Sequence, residues 1–188
     1  MKQSILSFLL IMLISLAYSQ KEKKVIINDT LLAKATLIFE ENLENGLDNW
    51  KVEQMPGGRV SSIDEKLEIT DVAGCTIWFK KKLEGPIMIQ YDAFVIDEGG
   101  PQDRVSDLNC FWMAKDPENP DNLFVNSEKR GGKFSNYDGL RLYYMGVGGH
   151  DNTKTRFRRY VGNGDRPLLR EHDLSESKYL ISRALEMI

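Results

Sequence analysis

The chain has 188 residues, 28% of them charged, and a formal net charge of −3 at pH 7. This length suits one domain with a sizeable hydrophobic core. The slight excess of acidic over basic residues makes nucleic acid a poor partner, despite the local basic sequence RFRRY. The two histidines lie far apart, and no Cys-x-x-Cys or His-Glu-x-x-His motif occurs, which argues against a zinc site.

The first nineteen residues have the pattern of a secretory signal peptide. Lys2 supplies a positive charge, residues 5–16 form an apolar run, and Ala17 and Ser19 are the small residues that a signal peptidase reads. A spanning helix needs about 20 apolar residues, so an uncleaved anchor is the weaker alternative. We therefore predict cleavage of residues 1–19, a secreted or periplasmic protein, and no membrane span after cleavage.

Residues 20–36 are expected to form an N-terminal arm, and residues 37–188 a single β-sandwich domain. In that domain, short runs rich in β-formers alternate with turn sequences such as MPGG, DEGGPQD and GNGDRP. The candidate strands are TLIFEENL, NWKVEQM, KLEIT, CTIWFKKKL, IMIQYDAFVI, LNCFWMA, GLRLYYMGV and TRFRRYV. Their spacing predicts an all-β fold of antiparallel strands.

Two features of the domain leave alternatives open. Cys75 and Cys110 lie in apolar segments, where they either pair in an oxidising compartment or remain buried free thiols. The ending ISRALEMI is typical of a short helix rather than a strand. Either that helix caps the sheet, or the sandwich is incomplete at the C-terminus.

Three long blocks carry a resemblance to a known family: DRVSDLNCFWMAKDP, YDGLRLYYMGVGGHDNTKTRFRRY and RPLLREHDL. Together with FEENLENGLDNW and TIWFKKKLEGPIMIQYDAFV, they make residues 37 to 180 similar to a family of secreted bacterial proteins of unknown function. The resemblance implies a concanavalin A-like jelly roll of two antiparallel sheets and a part in polysaccharide degradation. It brings no catalytic residue set. Family members continue beyond KYL with further strands, so this chain departs from them there.

The segment from Tyr143 to Tyr160 is the candidate site. Period-two alternation in its two strands allows one sheet face to present two tyrosines and three arginines. These residues are Arg141, Tyr143, Arg156, Arg158 and Tyr160. Arginine binds carboxylates bidentately and tyrosine offers an apolar ring to a sugar, so the expected partner is an acidic polysaccharide. Alternatively, these arginines pair with the chain's own carboxylates.

A β-elimination can be written from the same residues. Arg156 or Arg158 would neutralise a uronate carboxylate, and His150 or His172 would be the base. Tyr143 or Tyr160 would act as the acid, or as the base if a neighbouring arginine lowers its pKa. The alternatives are that His150 is an exposed turn residue and that His172 pairs with a nearby carboxylate.

Hydrolysis is less favoured than elimination. A retaining glycosidase needs two carboxylates about 5–5.5 Å apart, and the Glu-x-Asp-x-x-Glu signature of laminarinase-like jelly rolls is absent. Asp92 and Asp97 are an odd number of residues apart and should face opposite ways. The chain is therefore expected to be a polysaccharide lyase if it is an enzyme. Otherwise it is a non-catalytic carbohydrate-binding module or a truncated, inactive fragment.

The remaining candidates concern ions and tryptophans. The loops DEGGPQDRVSD and DPENPDN concentrate carboxylates, which can hold calcium, but neither has a recognisable ligand spacing. We expect solvated acidic loops and no metal or other cofactor. Trp78 and Trp112 have apolar neighbours in their strands and are expected in the core.

Overall fold

A computed structural model describes residues 22–28, 31–169 and 180–181. The chain divides into two compact units, residues 1–42 and 43–188. In the first unit, strands β1 (Glu22–Asn28) and β2 (Leu31–Thr36) form an antiparallel hairpin. The predicted signal peptide lies outside the described residues. No helix among the described residues is long and apolar enough to cross a membrane.

The described residues of the second unit form seven strands, all in antiparallel pairs. They are β3 (Trp50–Gln54), β4 (Arg59–Ile63), β5 (Lys66–Thr70), β6 (Cys75–Phe79), β7 (Leu108–Lys115), β8 (Arg141–Gly148) and β9 (Lys154–Val161). β3 pairs with β6, β4 with β5, and β7, β8 and β9 form a three-stranded sheet in that order. The prediction of an all-β, antiparallel fold is confirmed.

An aromatic core joins the β3–β6 ribbon to the three-stranded sheet. Trp78 of β6 stacks on Phe111 of β7 with ring centroids 5.6 Å apart. Tyr137, Leu142 and Tyr160 pack into the same buried cluster. The sheet face that carries Phe111 and Leu142 is called the inner face below, and the opposite face the outer face. The packing of the ribbon on the inner face gives a two-layer, sandwich-like arrangement.

Three short helical turns lie between β7 and β8, where the sequence predicted only loops. Two are 3-10 turns, Leu123–Asn126 and Phe134–Tyr137, and between them lies α1 (Ser127–Arg130). Asn122 begins the first turn by accepting a hydrogen bond from the Phe124 N–H. Gly131 ends α1 in the left-handed conformation that glycine adopts most readily.

Two predicted strands are wrong. Of TLIFEENL, only Thr36 lies in a strand, and residues 37–43 have no regular structure. IMIQYDAFVI also has no regular structure, and its Ile89, Phe94 and Ile96 side chains are exposed. A strand needs a neighbour to accept and donate its backbone hydrogen bonds. No strand of the described chain pairs with this segment, so its period-two pattern alone does not make it a strand.

The edge of the three-stranded sheet is extended by residues 165–169. Arg159 N–H donates to the Pro167 carbonyl and Leu169 N–H to the Phe157 carbonyl, at 3.2 and 2.9 Å. This places the sequence RPLL of the third resemblance block directly beside β9. Arg166 thereby comes to lie next to the inner face of the sheet.

Candidate functional site

The register of the β8–β9 hairpin decides which predicted site residues share a face. Directly opposed residues of an antiparallel pair project to the same side of the sheet. Three opposed pairs belong to the inner face: Leu142 with Tyr160, Tyr144 with Arg158, and Gly146 with Arg156. On the outer face, Tyr143 is opposite Arg159 and Met145 is opposite Phe157.

The prediction that five tyrosines and arginines share one face is therefore wrong. Arg141 and Tyr143 lie on the outer face, whereas Arg156, Arg158 and Tyr160 lie on the inner face. Alternation within each strand was correct. The error is one of register, because the isolated Gly149–Lys154 bridge at the loop is offset by one residue from the pairs that follow it. A one-residue offset moves every side chain of one strand to the opposite face relative to its partner.

Tyr160 belongs to the core rather than to an open face. Only 1% of its surface is exposed, and its ring lies 6.0 Å from that of Tyr144. Burial raises the pKa of Tyr160, and the neighbouring Arg166 guanidinium offsets only part of this effect. The sequence suggested that a neighbouring arginine could lower the pKa of Tyr160 and make it a base. Its surroundings raise that pKa instead.

The loop between β8 and β9 has an unusual backbone. His150, Asp151 and Asn152 all have positive φ, between 54° and 58°, a conformation that costs a non-glycine residue about 1–2 kcal/mol. Contacts from other segments hold the loop in place. Asp151 lies 3.3 Å from Arg104, and the Asn152 side chain makes two hydrogen bonds with the Ile181 backbone, at 2.8 and 2.9 Å.

This loop brings His150 into contact with Arg156. The His150 Nε2 atom lies 3.1 Å from Arg156 Nη1. Because a guanidinium has only donors, Nε2 must be the acceptor, which leaves the ring proton on Nδ1. The imidazole is exposed, while Arg156 is half-buried and its Nε atom has no hydrogen-bond partner among the described residues. Two of the predicted site residues are therefore neighbours at the loop end of the inner face.

Sequence reasoning missed Tyr144 and Asn109 at the same end of the inner face. The Tyr144 hydroxyl donates a 3.0 Å hydrogen bond to Asn109 Oδ1. Gly146 makes room for this contact, since a Cβ there would collide with the Tyr144 hydroxyl. Burial is the main cause that raises the pKa of Tyr144 to about 12, so this hydroxyl keeps its proton near neutral pH. The glycine two residues after Tyr144 is the only signal of this arrangement in the sequence.

None of the hairpin arginines pairs with a carboxylate among the described residues. Four guanidiniums make no ion pair with any carboxylate in the described part of the chain: those of Arg141, Arg156, Arg158 and Arg159. Arg158 Nη1 instead donates to the Arg166 carbonyl at 2.8 Å. The alternative in which internal carboxylates neutralise these arginines is thus not realised among the described residues.

Three aromatic rings cluster on the outer face. Trp112 of β7 lies 5.9 Å from Tyr143 and 5.2 Å from Phe157, measured between ring centroids, and all three side chains are half-buried. Trp112 is therefore not in the core where the sequence placed it, whereas Trp78 is. Arg141 and Arg159 are exposed on this face.

The remaining candidates are His172 and the carboxylate-rich loops. His172 lies outside the described residues. No group of three or more metal-ligating side chains occurs among the residues that the structure describes. The Asp103 carboxylate accepts hydrogen bonds from the backbone N–H groups of Glu98 and Gly100. The Asp116 carboxylate accepts one from the side-chain amide of Asn126. These carboxylates therefore hold their own loops together.

The two cysteines are both free thiols. Burial raises the pKa of Cys75 to about 12 and also raises that of Cys110. Both sulfurs therefore stay protonated at neutral pH, in the form that is unreactive toward disulfides and metals.

One known family matches this chain. The sequence profile of a family described as "Domain of unknown function (DUF6250)" matches residues 69–187. The matched range includes β6 to β9 and therefore both faces of the candidate site. No curated protein and no solved structure matches the chain.

Proposed function

The chain belongs to the family described as "Domain of unknown function (DUF6250)", and we propose that it is a secreted, carbohydrate-active domain that engages an acidic polysaccharide at the loop end of the β8–β9 hairpin. The reaction proposed there is β-elimination. The concanavalin A-like jelly roll and the secretory signal, both expected from the sequence, are part of the same proposal.

The contact between His150 and Arg156 carries the proposal. β-Elimination needs a cation beside the uronate carboxylate and a base beside the proton on the neighbouring carbon. His150 Nε2 and Arg156 Nη1 are 3.1 Å apart, so a base and a cation lie side by side at this site. No carboxylate of the described chain neutralises Arg156, which supports a role in binding an external anion.

Substrate binding would also free the base. In the structure the Nε2 lone pair accepts a hydrogen bond from Arg156. A substrate carboxylate competes for that guanidinium, because a charged acceptor binds it more strongly than a neutral imidazole. His150 Nε2 can then take the C5 proton while the electron pair forms the C4=C5 double bond and the C4–O bond breaks. The leaving oxygen takes its proton from water.

The separation of the faces supports a second candidate, a carbohydrate-binding module without catalysis. Tyr143 is on the outer face and Tyr160 is buried, so neither tyrosine proposed as the acid lies beside His150 on an open surface. A binding module needs only partly exposed rings and arginines that no carboxylate of the described chain neutralises. Binding of polymer without formation of an unsaturated sugar would favour this candidate.

A lyase assay tests the reaction. Purified protein is incubated with polygalacturonate and with alginate, and the ultraviolet absorbance of the unsaturated product is followed. Removal of a general base typically lowers the rate about 10²–10⁴-fold, so His150→Ala and Arg156→Ala should each abolish most of the signal. Arg59→Ala is the matched control, because Arg59 is exposed and paired with Glu68 away from the hairpin.

Two outcomes would overturn the lyase proposal. One is the absence of product from wild-type protein whose folded state is shown by circular dichroism and cooperative thermal unfolding. The other is activity that survives both hairpin substitutions unchanged.

A further inference from the structure

The outer surface, defined by Trp112, Tyr143, Phe157, Arg141 and Arg159, has the composition of a ligand-binding face. Its three rings form one contiguous cluster, with centroids 5.2–6.1 Å apart. Clustered aromatic rings normally belong to the core, but these half-buried rings lie on the face opposite Trp78 and the buried aromatics. The rings therefore present an apolar area that the ribbon packed on the inner face does not cover.

The arginines of this surface are positioned beside the rings. Arg159 is directly opposite Tyr143, and Arg141 lies two residues before Tyr143 on the same strand and the same face. Both are exposed, and neither makes an ion pair with a carboxylate among the described residues. Elsewhere in the described chain, four arginines do have such partners: Arg59, Arg104, Arg130 and Arg166. The two outer arginines are thus available to an external anion.

We infer that the outer surface is a second, non-catalytic binding site for an acidic polysaccharide. The C–H face of a pyranose packs on an aromatic ring, and the carboxylate of an adjoining uronate accepts hydrogen bonds from a guanidinium. Trp112, Tyr143 and Phe157 supply the first contact, and Arg141 and Arg159 supply the second. The choice of an acidic polysaccharide as the ligand of this site rests on the proposed function.

Its position separates this site from the loop-end site. The hairpin carries the two sites on opposite faces of one sheet, because Tyr143 and Arg159 are outer residues whereas Arg156 and Arg158 are inner ones. One polymer chain bound to the outer surface would keep the domain on its substrate while the inner loop end acts on another segment. Binding of long polymer and cleavage of short oligosaccharide therefore depend on different residues.

Polymer binding is measured by electrophoresis of the full chain in native gels that contain polygalacturonate or alginate. A gel with neutral β-glucan and one with single-stranded RNA serve for comparison. Arg141→Ala combined with Arg159→Ala tests the surface with little risk to folding, since both side chains are exposed. Trp112→Ala tests the ring cluster. Phe94→Ala is its matched control, because Phe94 is an aromatic residue with 77% of its surface exposed outside the hairpin.

Retardation by acidic polymer should weaken about tenfold in the double arginine variant and in Trp112→Ala, equivalent to about 1.4 kcal/mol, and should not change in Phe94→Ala. Cleavage of a short uronate oligosaccharide should stay at the wild-type rate in the double variant.

Unchanged retardation in the double variant would overturn the inference and leave the lyase proposal standing. Loss of retardation in the outer variants, with no cleavage by any form of the protein, would support this site and overturn the lyase. Preferential retardation by RNA, or none by either acidic polymer, would overturn the inference.

Discussion

Glu53 and Arg130 form a fully buried, bidentate ion pair that joins β3 to α1. Arg130 Nη2 lies 2.6 Å from Glu53 Oε1 and Arg130 Nε lies 3.2 Å from Glu53 Oε2, and the two residues are 2% and 3% exposed. Ser127 and Tyr137 donate to the same carboxylate, at 2.5 and 2.7 Å. All three donors come from the helical segment between β7 and β8, so one carboxylate fixes that segment against the ribbon.

Glu53→Gln should destabilise the protein strongly. The substitution keeps the shape of the side chain but leaves the buried Arg130 charge without its counter-ion, which typically costs about 3–5 kcal/mol. Urea unfolding followed by tryptophan fluorescence measures the effect. Glu68→Gln is the matched control, because Glu68 pairs with Arg59 at an exposed site and should change the unfolding free energy by less than about 1 kcal/mol. Equal effects of the two substitutions would contradict a special role for the buried pair.

The assignment of the two tyrosines to opposite faces predicts unequal effects on stability. Tyr160→Ala removes a core ring and should cost about 3–5 kcal/mol, since only 1% of Tyr160 is exposed. Tyr143→Ala removes a half-buried ring of the outer surface and should cost clearly less. Chemical denaturation of the two variants compares them directly. If Tyr143→Ala were the more damaging change, the register of the β8–β9 hairpin described above would be wrong.

The sequence predicted the strands of the site better than their pairing. β6, β7, β8 and β9 were each indicated by runs of β-branched and aromatic residues, because local propensity and alternation depend only on neighbouring positions. The pairing register depends on the backbone of the loop, where Gly148 and the three residues after Gly149 adopt positive φ. Asn and Asp favour that conformation, but the one-residue offset it produces cannot be deduced from residue types. The faces of the hairpin were consequently assigned wrongly.

Contacts between residues far apart in the chain also could not be predicted from the sequence. Nothing in NWKVEQM distinguishes Glu53 from a solvent-facing glutamate, because its partner Arg130 is 77 residues away. For IMIQYDAFVI the opposite holds: the pattern is that of a strand, but no described strand pairs with it. In both cases the local sequence shows only which side chains share a face of a strand. Whether that face is buried depends on a partner elsewhere in the chain.

Tyr144 should make the protein less stable in alkali. Its pKa is raised to about 12 in the folded state, against about 10 in an unfolded chain. Between these two pH values the unfolded chain releases a proton that the folded protein retains, so the free energy of unfolding falls as pH rises. A difference of this size corresponds to about 2–3 kcal/mol. Urea unfolding at pH 9 to 12 should therefore show a steeper decline in wild type than in Tyr144→Phe. Parallel curves would indicate that Tyr144 is not the titrating group.

The hydrogen bonds between Asn152 and Ile181 predict how the His150 loop is held. Asn152 Nδ2 donates to the Ile181 carbonyl and Asn152 Oδ1 accepts from the Ile181 N–H, at 2.8 and 2.9 Å. Asn152→Gly removes the amide but tolerates the positive φ of 58°. Asn152→Ala removes the amide and adds backbone strain of about 1–2 kcal/mol. Both variants should speed hydrogen exchange at the Ile181 N–H, and Asn152→Ala should also unfold at lower urea concentration than Asn152→Gly. Exchange at Ile181 that is as slow in both variants as in wild type would show that the Asn152 side chain does not hold the segment.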